Sequence, residues 1–137
     1  VENLNINDEI DKKLKGLVVG TKDKVDTDMD NLKIADALDD IFEIYRACNK
    51  YIDETEPWIL AKDESKQNRL KTVLYNLVES ERYATVLLSA FLPNTAESIF
   101  SQLNTDKTSY ETLDKFGYYE NGKIGDAKVL FQRIINE

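Results

Sequence analysis

The sequence predicts an all-α protein: an up-and-down helical bundle followed by a short irregular or hairpin C-terminal segment. Two long stretches carry apolar residues at spacings of three and four, which is the signature of helices with one buried face. Both prolines, Pro57 and Pro93, fall at the edges of these stretches, where a residue without an N–H can be tolerated. The strong hairpin signal, Asn121-Gly122 in "YYENGKIG", comes only near the end.

The first segment reads as a helix from Asn7 to about Met29. Asn7 or Asp8 is its candidate cap, and Ile10, Leu14, Leu17, Val18 and Val25 form its inner face. Gly16 and Gly20 weaken it. The second helix is expected from about Asn31 to Thr55. Leu32, Ala35, Leu38, Ile41, Phe42, Tyr45, Cys48, Asn49 and Ile52 make its stripe, while Asp36, Asp39, Asp40, Glu43, Arg46 and Lys50 mostly fall elsewhere. Pro57 cannot continue this helix, and it drives Glu56 out of the helical region, so Trp58 sits at a forced corner. Ile59, Leu60 and Ala61 suit one helical turn after it.

A third long helix is predicted from about Ser65 to Leu92, with Leu70, Val73, Leu74, Leu77, Val78, Ala84, Leu88, Phe91 and Leu92 inward. Glu81 and Thr85 share that stripe, which places polar groups at the core or its edge. Pro93 is read as its terminator. A shorter helix follows, capped by Asn94 or Thr95, with Ala96, Ile99, Phe100 and Leu103 inward. A polar loop leads to a helical turn over Tyr110 to Phe116, capped by Thr108 or Ser109. The tail "KVLFQRII" is expected to lie back on the bundle.

Composition narrows the function. The 137 residues fit one domain spanning 1–137, and a start at Val1 suggests part of something longer. No apolar run approaches the length of a membrane span, and the polar, acidic start carries no signal peptide, so no membrane partner is expected. With Cys48 as the single cysteine there is no internal disulfide, and the cytoplasm is the expected compartment. A net charge of −8 argues against DNA and against general phosphate binding. The absence of histidine removes Ser–His and Cys–His nucleophiles, and no phosphate-cradling glycine loop is present. No catalytic residue, cofactor or metal site is expected within these residues.

Several motifs have ordinary readings. "DTDMDNLKIADA" has Asp26, Asp28 and Asp30 in calcium-loop alternation. However, Asn31 stands where the loop needs Gly and Ala37 where it needs Glu, so a solvated acidic turn is expected. Glu79, Glu81 and Arg82 read as a surface or edge ion-pair cluster. Cys48 reads as a small buried hydrophobe.

Trp58 has two readings. On residue type alone it plugs a helix junction. Its neighbours favour another role: Asn49 and Asp53 are four apart, hence on one helical face, in the last turns before Pro57. An amide, a carboxylate and an indole at one helix end are what is needed to stack on an unpaired base and bond to its edge.

"NKYIDETEPWILAKDE" resembles the N-x-Y-x-D-x-x-x-P-W-x-x-A-K segment of methionyl-tRNA synthetases. "LLSAFLPNTAESIFSQL" is similar to a later helix junction of that family, and "NGKIGDAKVLFQRI" to its closing segment, in the same order. Gln132 replaces a usual Pro, and Ser89 stands where a Pro is common. The resemblance implies part of a helical anticodon-binding domain from the C-terminal half of a class I enzyme. The domain's role would be to recognise the CAU anticodon of the methionine-accepting tRNA. Carried over, Trp58 packs against the first anticodon base, Pro57 sets the corner, and Asp53 and Asn49 belong to the same site. The family's earlier helix, with an Asn and an Arg one turn apart, has no counterpart here, nor does the catalytic domain, whose ATP and Mg²⁺ would serve the parent ligase. The partners implied are the tRNA anticodon loop and the catalytic domain of the same enzyme. The competing expectation is an acidic protein-interaction or structural bundle that binds no RNA.

Overall fold

The computed structural model describes residues 8–103 and 105–119. The described residues form helices α1 (Glu9–Asp30), α2 (Ile34–Thr55), α3 (Pro57–Leu60), α4 (Gln67–Leu88) and α5 (Pro93–Leu103), with short 3₁₀ turns at Glu64–Lys66 and Tyr110–Leu113. They contain no strand. The expected Asn121-Gly122 hairpin and the "KVLFQRII" tail lie outside the described residues.

α1 and α2 form an antiparallel hairpin, and α4 packs against both. Val18, Ile41, Ile44, Cys48, Ile52, Val73, Leu77 and Leu88 close the core between them. Each such aliphatic side chain stabilises the fold by about 1.5–3 kcal/mol relative to leaving it exposed. α5 and the 105–119 segment cover the rest of α4. As a result α4 is buried almost continuously from Thr72 to Leu88, with Leu74 as the partial exception. A buried polar contact links α2 and α4 within this core: Tyr45 and Thr85 share a 3.0 Å hydrogen bond, and Thr85 also donates to the Glu81 carbonyl.

The structure corrects several expectations. α2 starts at Ile34, not Asn31, because the chain closes α1 with a Schellman turn. The Leu32 N–H bonds Met29 O and the Lys33 N–H bonds Asp28 O, with Leu32 at φ 58°. Leu32, Ala35 and Phe42 are exposed, and Ile44 and Tyr51 take inward places the stripe does not give them. Pro93 does not end the preceding helix; it occupies the first position of α5, where its missing N–H would have no helical partner. α4 ends earlier, at Leu88, and Ala96 begins the α5 bonding by donating to Leu92 O. The helical turn expected over Tyr110–Phe116 is a shorter 3₁₀ turn over Tyr110–Leu113, after Ser109. Asp26, Asp28 and Asp30 stand in the last turns of α1 and not in the expected solvated turn, which the chain makes only after Asp30.

The largest correction concerns Glu79 and Arg82. They form a fully buried pair, not a surface one: Arg82 Nε and Nη2 reach the two Glu79 oxygens at 2.5 and 2.9 Å. The N–H groups of Gly117, Tyr118 and Tyr119 converge on the same carboxylate at 2.5, 2.9 and 3.1 Å. Arg82 also donates to Lys107 O, Thr112 O and Thr112 Oγ1. Irregular backbone needs partners for its polar groups, and this pair supplies them. Gly117, at φ 118°, permits the bend that aims three consecutive N–H groups at one anion.

Candidate nucleic-acid interface

The four residues singled out from sequence lie around the corner that ends α2. The chain turns there through Glu56, held in the left-handed region at φ 49° and ψ 62°. A residue before proline is disfavoured in the right-handed helical region, so α2 must end here. A non-glycine residue in the left-handed region costs on the order of 1–3 kcal/mol. The turn is offset by full use of its backbone. The Glu56 N–H closes α2 on Ile52 O at 2.9 Å, and the Glu56 carbonyl accepts from Ile59 and Leu60. Pro57 opens α3, where it has no N–H to satisfy, and its ring is buried.

This geometry turns Trp58 outward, with 48% of its surface exposed. Ile59 beside it is exposed to the same extent. Asp53 is exposed on the last full turn of α2. Asn49, one turn earlier, is half-buried, and its Oδ1 is enclosed with no hydrogen-bond partner among the described residues. No hydrogen bond or ring contact among the described residues joins Trp58 to Asn49 or Asp53. The corner thus collects all four on one end of α2 while leaving the indole and the Asp53 carboxylate open to solvent.

The far side of the corner is tied down as well. Asp63 caps the next turn, accepting from the N–H and hydroxyl of Ser65 at 3.0 and 2.6 Å. These bonds hold its carboxyl below the usual range. Gln67, opening α4, donates its amide to Asp63 O and Leu60 O.

Sequence reasoning missed the residues that brace this end. Tyr51, between Asn49 and Asp53, is buried and donates to Asp11 Oδ1 at 2.5 Å. It accepts from Asn76 Nδ2 at 3.1 Å. Arg69 grips the same Asp11 carboxylate with both terminal nitrogens, at 2.5 and 3.1 Å, and the Asp8 N–H completes its shell at 2.9 Å. Burial alone would raise the Asp11 pKa. The bonds from Arg69, Tyr51 and Asp8 outweigh it and leave the group below its ordinary value. Burial, then the bond to Asp11, pushes the Tyr51 phenol upward, so it stays a donor. Tyr51 stands inside the quoted N-x-Y-x-D motif, and that was the only sequence signal. Asp11 stands in the first turn of α1, where an acid is common and carries no separate signal.

The family model for the anticodon binding domain of methionyl tRNA ligase matches residues 5–137. The chain belongs to that family. It is 47% identical over 128 residues to the methionine–tRNA ligase of Clostridium acetobutylicum, covering 93% of this chain and 20% of that protein. It is 48% identical over 126 residues to the ligase of Clostridium tetani, covering 91% and 20%. It therefore spans about a fifth of the length of these relatives. Among solved structures it resembles a Mycobacterium tuberculosis methionyl-tRNA synthetase bound by methionyl-adenylate. That match has a TM-score of 0.78 at 27% identity and covers 83% of this chain and 23% of that one. Within this anticodon-binding family the all-α bundle is the expected fold. No helix among the described residues is long and apolar enough to cross a membrane.

Proposed function

We propose that these residues are part of the helical domain with which a cytoplasmic methionine–tRNA ligase recognises the CAU anticodon. In this reading the parent enzyme joins methionine to its tRNA with ATP and Mg²⁺ in a separate catalytic domain, and this piece performs no chemistry. Trp58 is the platform on which the first anticodon base stacks. Asp53 offers an acceptor to an amino group on a base edge, as carboxylates do for cytosine. Pro57 fixes the corner, and Asn49 supports it from the preceding turn. The observation that carries the reading is the exposure of the chain's single tryptophan, presented on a corner whose backbone bonds are made on both sides. An indole serving as a core plug would be buried. The acidity of the domain fits a site that reads a few splayed bases and leaves phosphate contacts to other parts of the enzyme.

The test is made in the full-length enzyme, comparing tRNAs with anticodon CAU and with only the first anticodon base changed. Stacking of a base on an aromatic side chain is worth about 1–3 kcal/mol, so Trp58→Ala should cut selection for CAU by about 5- to 150-fold. A folded Trp58→Ala enzyme with unchanged selection would return Trp58 to a packing role and leave the acidic bundle without RNA as the better account.

A further inference from the structure

The cluster around Asp11 is placed to do more than hold helices together. Tyr51 lies in the last turns of α2 and Arg69 in the first turn of α4, so they stand on either side of the segment 52–68 that carries Trp58 at its corner. These two residues are the feet of that segment. Asp11 comes from a third helix, α1, and bonds to both. Its Oδ1 accepts from Tyr51 Oη at 2.5 Å and from Arg69 Nη2 at 3.1 Å. Its Oδ2 accepts from Arg69 Nη1 at 2.5 Å and from the Asp8 N–H at 2.9 Å. Asn76, further along α4, donates to the same Tyr51 oxygen at 3.1 Å. One fully buried carboxylate thus closes a ring made of the end of α2, the corner and the start of α4.

Stability alone does not call for this group. Well-packed apolar side chains in place of a buried ion pair often serve stability as well or better. Directional bonds add what apolar contact lacks, a single distance and angle between the partners, and the two-pronged grip of Arg69 is the most exacting of them.

The corner needs such placement. Its own backbone bonds, from Glu56 to Ile52 and from Ile59 and Leu60 to Glu56, fix its shape but not its position. Asp53 rides on α2, whereas the turn after Trp58 is tied to the start of α4 by Gln67, which donates to Leu60 O and Asp63 O. If α2 and α4 spread at this end, the Asp53 carboxylate and the indole move as two bodies. Binding groups must be held to within about 0.5 Å for a site to keep its selectivity, and residues behind them do the holding.

We propose that Asp11 is a positioning residue for anticodon reading, holding Tyr51 and Arg69 so that Trp58 and Asp53 keep one mutual geometry. This rests on the reading of Trp58 as the base platform.

The test is made in the full-length enzyme. It compares kcat/KM for a tRNA with anticodon CAU and for one with only the first anticodon base changed. The ratio of the two is the selection. It does not depend on the fraction of enzyme that is folded, so lost stability alone leaves it unchanged. Asp11→Ala should lower selection by about 3- to 10-fold, a part of what the stacked indole supplies. Tyr51→Phe keeps the ring and removes one hydroxyl, and should lower it by about 2- to 5-fold. If Asp11→Ala does not fold, Tyr51→Phe decides. Because Asp11 acts through the corner, either change made in the Trp58→Ala enzyme should lower selection by less than about 2-fold further. Full selection in the deciding variant, beside a loss in Trp58→Ala, overturns the proposal and leaves the Trp58 reading standing. A loss of the same size with and without Trp58 also overturns it. Selection unchanged in Trp58→Ala overturns the Trp58 reading itself, and the positioning role falls with it.

Discussion

Tyr51 donates a 2.5 Å hydrogen bond to Asp11, joining the last turns of α2 to the first turn of α1 across 40 residues of sequence. Arg69 and Asn76 enter the same cluster from α4, so three helices are fastened at the end that carries Trp58. Hydrogen bonds to charged groups are worth about 1.5–3 kcal/mol, and Tyr51→Phe should lose that much stability in urea unfolding. The Asp11 carboxyl lies below its unfolded value, so its contribution is complete above pH ~4 and is lost as pH falls through the folded pKa. Asp11→Asn should accordingly lower stability at pH 7 and flatten its fall in acid.

Glu79→Ala should be among the most damaging single changes in the chain. It leaves the Arg82 guanidinium buried without its counter-ion and strips the Gly117, Tyr118 and Tyr119 N–H groups of their acceptor. Removing one partner of a buried pair costs about 3–5 kcal/mol. Denaturant unfolding measures the loss. A change below 1 kcal/mol would show that the 105–119 segment is not held by this pair.

Asp40 gives the opposite pH dependence to Asp11. Its folded pKa, about 6, lies above the unfolded value near ~3.9, so its contribution to stability is complete below the unfolded value and is lost as pH rises through the folded one. Asp40→Asn removes that loss. The group is partly solvated, so the gain at pH 7 should be only about 0.3–1 kcal/mol, vanishing near pH 4. Thermal unfolding of the two proteins across pH 4–8 checks both sign and size.

Asp53→Ala in the full-length enzyme should impair CAU selection less than Trp58→Ala does. An exposed hydrogen bond contributes about 0.5–1.5 kcal/mol, or roughly 2- to 12-fold, against the larger stacking contribution of an indole. Charging assays with matched tRNAs decide it. A larger effect of Asp53→Ala in a folded enzyme would reverse the two roles.

The long helices were legible in the sequence because burial on one face imposes a period that propensity alone does not. Pro57 placed the corner, and Trp58 stood out by residue type and neighbours. What the sequence concealed were contacts between distant positions. Glu79 and Arg82 are three apart on a helix, a spacing typical of solvated pairs. Only the return of residues 105–119 over α4 makes them a buried anchor. Asp11, Tyr51, Arg69 and Asn76 come from three helices and share no local pattern. Leu32 misled for a related reason: it continues the apolar spacing of α2 but stands in the turn before it. Pro93 has one local chemistry compatible with either ending a helix or starting one, and the bonding of Ala96 to Leu92 decides for the start.

The strained turn at Glu56 has a thermodynamic consequence for any ligand of Trp58. A flexible loop must surrender conformational freedom when a base settles on it, and that loss is subtracted from the affinity. Here the ordering was completed during folding, when Glu56 took its left-handed conformation and the Pro57 ring was buried. The backbone beneath the indole has little freedom left to lose, so a base stacked on Trp58, as we propose, would keep more of its stacking energy available to discriminate one base from another.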